Sequence, residues 1–354
     1  MLFRNYEYFS TMAFYWPIYL WGPWQAIRAG HPCFFSAVNP AIEGGGIGFE
    51  SKYEIGELIP EKWRPFTIRI TPDMSWEEVC TSAGLALPGA QNSAAGPQLS
   101  YPFIAKPDIG YRGRLVRVIR TEEDLRDYRR KYPLATLLQE KIDLPEEIGL
   151  FYYRRPGQQN GTISSLTTKR FLGVEGDGQR SIRELLSKDD RSRRQISRLQ
   201  RELGDVLDQV PAAGEQLRLG EIGNHNLGTQ FIDARDLITP ELVARFDQVV
   251  DSIPNFCYGR FDLRADSLEA IEAGDFKVLE INGALGEPTH LYDASKNNYF
   301  TAVRDIMAHW QVIGTISRDN MRKGVKPMGI RKMLRKLFEF RAYAKRVKQL
   351  SKLG

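Results

Sequence analysis

The chain has 354 residues, 42% hydrophobic and 26% charged, and reads as a globular protein with room for two or three compact units. Its three cysteines, Cys33, Cys80 and Cys257, lie far apart and form no Cys-x-x-Cys pair, so neither a disulfide framework nor a zinc site is suggested and a reducing cytoplasm is the expected compartment. The net charge of +5 is uneven: residues 322–354 hold twelve Lys and Arg against one acid, Glu339, so the tail carries +11, the rest −6, and nucleic acid is not the expected partner of the folded body.

Residues 1–30 form an aromatic N-terminal segment. Tyr8 to Ile27 carries no charge and has the length of a membrane span, but Pro17 and Gly22-Pro23 interrupt it, and its rings suit a membrane–water interface. No positive region followed by a compact apolar run and a small-residue cleavage site marks a signal peptide. Packing on the protein's own body, lying in a membrane interface and spanning all stay open.

Residues 31–87 read as a small α/β domain. PCFFSAVNP (32–40) suits a buried strand closed by Asn-Pro, EGGGIG a turn, SKYEIGELI a short helix and PFTIRIT a second strand. Ser75, with Glu78 three residues on, opens a helix that stops at Gly84. Residues 87–100, rich in Pro, Gly, Ser and Asn, are the expected linker.

From Tyr101 to about 160 the order is strand (PFIAKP), glycine turn, strand (GRLVRVI), helix (TEEDLRDYRRKY, capped by Thr121 with Asp124 three on) and strands TLLQEKI and IGLFYYR. This is α+β with antiparallel hairpins rather than a doubly wound sheet. Residues 161–312 add TISSLTTKRFLGVEGDGQ, the helix SIRELL, a charged run best read as a solvated helix face, the helix TPELVARFDQVVDSI, and the strands FCYGRFDLRA and DFKVLEIN.

Three clusters carry chemistry. Lys106 ends a strand, and in the turn DIGYRGR after it Gly110 and Gly113 let backbone approach a ligand and present N–H groups to anionic oxygens. The pattern is neither a Walker loop nor a Rossmann fingerprint, and alone it reads as a basic hairpin; Arg112 and Arg114 stay open between phosphate contacts and solvated charges. Glu140, Lys141 and Ile142 end a strand whose main chain can read an adenine edge, with Glu147 placed for ribose hydroxyls. Asp262, Glu280 and Asn282 sit on two strands that can pair, and three oxygen ligands without Cys or His suit magnesium.

Taken together, PFIAKP–DIGYRGRLV, LLQEKI…EE, GRFDLR and VLEING resemble the ATP-grasp superfamily across residues 101–312, and FLGVEGDGQRSIRELL and GNHNLGTQFIDARDLITPEL look more distantly like cyanophycin-synthetase-type and D-alanine–D-alanine-ligase-like members. The resemblance implies two α+β subdomains, 101–160 and 161–312, sandwiching ATP. It implies that Lys106 and Lys169 contact the nucleotide, that residues 108–114 fold over the phosphates, that Glu140, Lys141 and Ile142 frame adenine, and that Glu147 holds the ribose. Asp262, Glu280 and Asn282 would then hold magnesium, with Arg260 and Arg264 beside the transferred phosphoryl group. His225, in GNHNLGT, and Gly286 and His290, in GEPTHLYD, are the candidate substrate contacts, while His31 and His309 look structural. The acceptor loop departs from the D-alanine–D-alanine ligase pattern, so no D-alanine specificity is assigned.

The implied reaction is carboxylate–amine ligation through an acyl phosphate. Two alternatives remain: phosphoryl transfer without amide formation, and an inactive ATP-binding adapter that associates with membranes through its ends. In residues 313–354, Ile330, Leu334, Leu337, Ala344 and Val347 fall near one stripe of a basic helix, a pattern that suits an anionic membrane surface, nucleic acid, or docking on the body or a partner.

Overall fold

The computed structural model describes residues 6, 9–85, 97–111, 113–220, 223 and 227–352. Helix α1 (Thr11–Ala29) starts at Ser10, whose hydroxyl accepts from Ala13 N, and ends at Gly30 in the left-handed conformation. It contains Pro17 and Pro23 and buries Phe14 and Ile18. No helix among the described residues is long and apolar enough to cross a membrane.

The stretch expected as a strand at 32–40 is instead a 3-10 turn at Phe34–Ala37 that leads into Asn39. Asn39 is fully buried: its amide donates to Gly45 O and Tyr258 O and accepts from Cys257 N and Tyr258 N. A side chain that satisfies four main-chain groups gives this segment polar partners, so it needs no strand neighbour. Helix α2 (Lys52–Glu57) follows, capped by Ser51.

Strand β1 (Thr67–Ile70) pairs with β4 rather than with anything in 31–87, so this region makes no sheet of its own. Its alternating Thr67 and Arg69 leave one polar face, and a four-residue strand needs a sheet edge to join. Helix α3 (Trp76–Ala83) has the expected Ser75–Glu78 capping box and ends at Gly84. Strands β2 (Phe103–Pro107), β3 (Arg117–Ile119) and β4 (Thr136–Glu140) complete an antiparallel sheet of order β1-β4-β2-β3. The expected strand from Gly113 is shortened to three residues because Leu115 takes a positive φ of 62° within the preceding turn. Helix α4 (Glu122–Lys131), boxed by Thr121 and Asp124, packs on this sheet through Leu125 and Tyr128.

The second layer is built from β5 (Glu146–Tyr153) and β6 (Thr162–Arg170), then a small hairpin of β7 (Gly173–Glu175) and β8 (Gln216–Arg218). Between the hairpin strands lie α5 (Ile182–Ser187), α6 (Asp190–Arg193) and α7 (Ile196–Leu203), the last burying only Leu199 of its charged sequence. Strand β9 (Gln230–Asp233), helix α8 (Pro240–Asp251), strand β10 (Tyr258–Ala265), helix α9 (Leu268–Ala273) and strand β11 (Lys277–Asn282) follow. The five long strands form an antiparallel sheet of order β11-β10-β5-β6-β9. Phe246, Val249, Phe261 and Ile281 lie in its core.

Helix α10 (Tyr299–Arg322) runs alongside α1: Tyr299 lies against Phe14, and Trp21 donates to Met307 O. Helix α11 (Ile330–Leu350) docks on the body instead of standing free. Val347 is fully buried in the core of the first sheet, Met333 packs with Phe34, and Tyr343 donates to Ile109 O at 2.8 Å. Of the expected stripe, Ala344 and Val347 are buried while Ile330, Leu334 and Leu337 remain exposed, with Phe338 beside them.

Candidate active site

A cavity of about 630 Å³ lies between the two sheets, within the range of small-molecule sites. The first sheet contributes Lys106 from β2 and the end of β4, and the second contributes Lys169, Arg260, Asp262 and Glu280. The alternation of β10 puts Arg260, Asp262 and Arg264 on one face, and its register with β11 sets Asp262 opposite Glu280 and Arg260 opposite Asn282.

Lys106 is 9% exposed. Its Nζ donates to Gln139 Oε1 at 2.9 Å within its own sheet and to Leu279 O at 3.4 Å on the other, so this side chain bridges the two layers. Burial lowers its pKa to about 8, although Glu280, Asp262 and Glu147 favour its charged form. Across the cavity Lys169 donates to Glu147 Oε1 at 2.9 Å and to Asp262 Oδ1 at 3.1 Å. Burial disfavours its charge, but these two carboxylates prevail and hold it above the ordinary lysine value.

Asp262 Oδ2 also accepts from Arg260 Nη2 at 2.9 Å and from Asn282 Nδ2 at 3.0 Å. Burial works against its ionised form, yet Arg260 and Lys169 hold the carboxyl well below the usual range. Glu280 is likewise lowered: burial opposes ionisation, and Lys52 and Lys106 overcome it. Lys52 Nζ lies 2.6 Å from Glu280 Oε1.

Asp262, Glu280 and Asn282 therefore converge as two carboxylates and an amide. Among the described residues no group of three or more His, Cys, Asp and Glu forms a metal cluster. The donor set is hard and oxygen-only, and both carboxylates are ionised, which fits a magnesium ion.

Other expected contacts fall differently. Arg264 lines the cavity with its guanidinium engaged: it binds Glu147 Oε2 at 3.0 Å and Ile142 O at 2.9 Å, bracing the strand end. Its direct partner across the β5 register is Glu147, and that pairing decides its direction. Glu147 is thus held between Lys169 and Arg264, while lining the cavity. Glu140 Oε2 accepts from Phe66 N, and Lys141 pairs with Asp143. Gly110 and Gly113 line the cavity; a Cβ at Gly110 would stand 2.3 Å from Lys52 Cε, and Gly113 has φ of 68°. Arg114 donates to Ser351 Oγ, whereas Arg112 lies outside the described residues.

Of the expected substrate contacts, His225 lies outside the described residues. His290 is 1% exposed and does not line the cavity; its Nε2 lies 3.3 Å from Asp305 Oδ2. Gly286 is taken up in a turn, its N–H donating to Gly283 O. Their neighbours Glu287, Thr289 and Tyr292 reach the cavity instead. His309 bonds the Tyr258 hydroxyl in the core, with burial lowering its pKa to about 4, and His31 accepts from Cys33 N.

Sequence reasoning did not single out Lys52 or Glu50, and it took Asp108 only as part of the 108–114 loop. Asp108 accepts from Ser51 Oγ and Tyr53 N, stapling the glycine loop to the start of α2, and Ser51 looks in the sequence like an ordinary helix cap. Burial raises the carboxyls of Glu50 and Glu287, the first beside Gly48 N and the second beside the Tyr292 hydroxyl.

No protein-family model matches the sequence, and no curated protein matches it. Among solved structures, the chain is similar to D-alanine–D-alanine ligase from Bacillus anthracis, with 12% identity over 80% of this chain and 70% of that one and a TM-score of 0.40. It is also similar to a bifunctional glutathione synthetase from Pasteurella multocida, with 15% identity over 72% of this chain, 35% of that one and a TM-score of 0.37. For an L-amino acid ligase from Bacillus licheniformis the values are 13%, 73%, 47% and 0.36. The matches thus span about a third and about half of the length of the last two.

Proposed function

We propose that the chain is an ATP-grasp enzyme that joins a carboxylate to an amine, with ATP as co-substrate and magnesium at the Asp262, Glu280 and Asn282 oxygens. The observation that carries this is a single cavity in which a buried lysine of one sheet, Lys106, faces the two ionised carboxylates and amide of the other. The Glu140–Ile142 strand end, braced by Arg264, opens onto the same cavity and is the proposed adenine side.

In the proposed reaction a carboxylate oxygen attacks the γ-phosphorus, the bond to the ADP oxygen breaks, and ADP leaves with that electron pair. The amine nitrogen then attacks the acyl carbon, the carbon–oxygen bond to phosphate breaks, and the nitrogen gives up two protons, one of which leaves on phosphate. Magnesium would supply charge neutralisation of the phosphate oxygens. Lys106 and Arg260 would spread the charge of the phosphoryl group in flight, with Lys169 holding Asp262 ionised between them. The 108–114 loop, tethered through Asp108 to α2 and through Ile109 to Tyr343, would shield the acyl phosphate from water.

Asp262→Asn and Glu280→Gln are expected to lower magnesium-dependent ADP release on the order of a hundredfold or more, as Lys106→Met should. Turnover unchanged in both carboxylate variants would refute the metal assignment. Phosphoryl transfer without amide formation is the competing reading, and a stable phosphorylated product with an amine present would select it.

The same proposal places the protein at an anionic membrane surface. Its support is the outer face of α1, where Met12, Trp16, Leu20 and Ile27 are exposed, no acid occurs within the helix, and Arg28 ends it. The first half of α11 adds exposed Ile330, Leu334 and Phe338 among Lys and Arg. Flotation with phosphatidylserine vesicles should fall on Trp16→Ser/Leu20→Ser and again on Leu334→Ser/Phe338→Ser; binding unaltered in both would remove the membrane from the account.

A further inference from the structure

Part of the same cavity, here called its chamber, has a lining that the proposed nucleotide and magnesium contacts do not use. Its wall is aromatic, with Tyr6, Phe14 and Tyr15 from the N-terminal segment and Phe231 and Tyr292 from the second layer. The rings interlock: Tyr6 stacks with Phe14 at 6.1 Å, Phe14 meets Tyr15 edge-on at 5.0 Å, and Phe231 meets Tyr292 at 6.1 Å. The Tyr6 hydroxyl donates to Leu291 O, which fixes the N-terminal rings to the loop carrying Tyr292.

One acid stands at this wall. Glu287 accepts from the Tyr292 hydroxyl, and among the described residues no Lys, Arg or His forms an ion pair with it. The other acids of the centre are neutralised: Glu147 by Lys169 and Arg264, Asp262 by Lys169 and Arg260, Glu280 by Lys52. Glu50 and Glu140 also lack an ion pair among the described residues, but Glu50 accepts from Gly48 N at 2.6 Å and has Lys52 nearby, and Glu140 Oε2 accepts from Phe66 N. The Tyr15 hydroxyl is buried and has no hydrogen-bond partner among the described residues. Arg260 sets the distance to the chemistry, since its Nη1 donates to Glu287 O at 2.9 Å while its Nη2 holds Asp262.

A carboxylate without a cation, in a cavity whose lining is partly aromatic, is matched by a ligand that is cationic at one end and apolar over its body. An ammonium gains both the ion pair and the ring quadrupoles, and an apolar body gains the ring surface; a carboxylate ligand would meet repulsion from Glu287. We propose that this chamber is the acceptor subsite and that it takes a primary amine with an aromatic or bulky apolar group, held as its ammonium by Glu287 next to Arg260. The proposal rests on the ligase reading above and names the class of its amine substrate.

The test is binding to the full chain of 2-phenylethylamine, ethanolamine and 3-phenylpropionate near neutral pH by ligand-observed NMR, with a non-hydrolysable ATP analogue and magnesium titrated by calorimetry alongside. Phenylethylamine should bind at least about tenfold tighter than ethanolamine, and Glu287→Gln, which keeps shape and removes charge, should weaken it about tenfold while the ATP analogue binds as before. Phenylpropionate binding as tightly as phenylethylamine, no binding of phenylethylamine, or no effect of Glu287→Gln overturns the amine subsite. The ATP analogue separates the two possible failures: if it binds, the acceptor inference alone falls, and if it does not, the ligase reading falls with it.

Discussion

Lys106 is charged, buried and placed between two sheets, and its pKa of about 8 against an ordinary 10.5 makes it the group most sensitive to what enters the cavity. Nucleotide phosphates would favour its ammonium form and raise that pKa. Between pH 8 and 10 the free protein holds this lysine partly neutral, so binding must take up a proton and affinity must fall as pH rises through this window. Calorimetry of an ATP analogue near pH 9 in buffers of different ionisation enthalpy should show proton uptake, lost in Lys106→Met. Lys106, Lys169, Asp262 and Asn282, singled out from strand positions and the order of motifs, line one cavity. The pairing of Arg264 with Glu147 was not legible because it depends on the β10–β5 register, which sets the two opposite each other. Lys52 and Glu287 were missed since each enters the site from a helix start or a loop, whose position only the packed molecule fixes.

Among the elements, the two capping boxes expected from the sequence, Ser75 with Glu78 and Thr121 with Asp124, are present, while those of Ser181 with Glu184 and Asn298 with Thr301 were not read. The failures came where long-range groups prevail over local pattern, as at 32–40, where Asn39 bonds the start of β10 and the segment turns instead of extending. Helix α11 is the element with most consequence. Its apolar stripe left a membrane surface, nucleic acid and docking on the body or a partner open; its second half is part of the first sheet's core, and Tyr343, Phe340 and Lys348 bear on Ile109 and Tyr111 of the glycine loop. Val347→Ala should therefore cost on the order of 2 kcal/mol of stability. Tyr343→Phe removes one hydrogen bond, about 1 kcal/mol, and should speed hydrogen exchange at residues 108–111 more than elsewhere. Equal protection of that loop in both proteins would mean that the helix does not brace it.

For the whole molecule, the α+β architecture and its antiparallel pairing were legible, but the division into units was not. Strand β1, assigned by sequence to a separate small domain, forms the edge of the first sheet, and Trp63 just before it donates to Gly274 O on the second layer. Residues 31–87 thus tie the two layers together, as Lys106 and Leu279 do within the cavity. The layers and their ties converge on one centre, where we propose that a carboxylate is activated by phosphoryl transfer. The decisive experiment gives the full chain ATP, magnesium, an amine panel and carboxylates labelled with oxygen-18, and analyses the phosphate released. ADP release with one labelled oxygen carried from carboxylate to phosphate is the expected result. Phosphate that carries no label while ADP forms, or no ADP formation with any carboxylate, would contradict it.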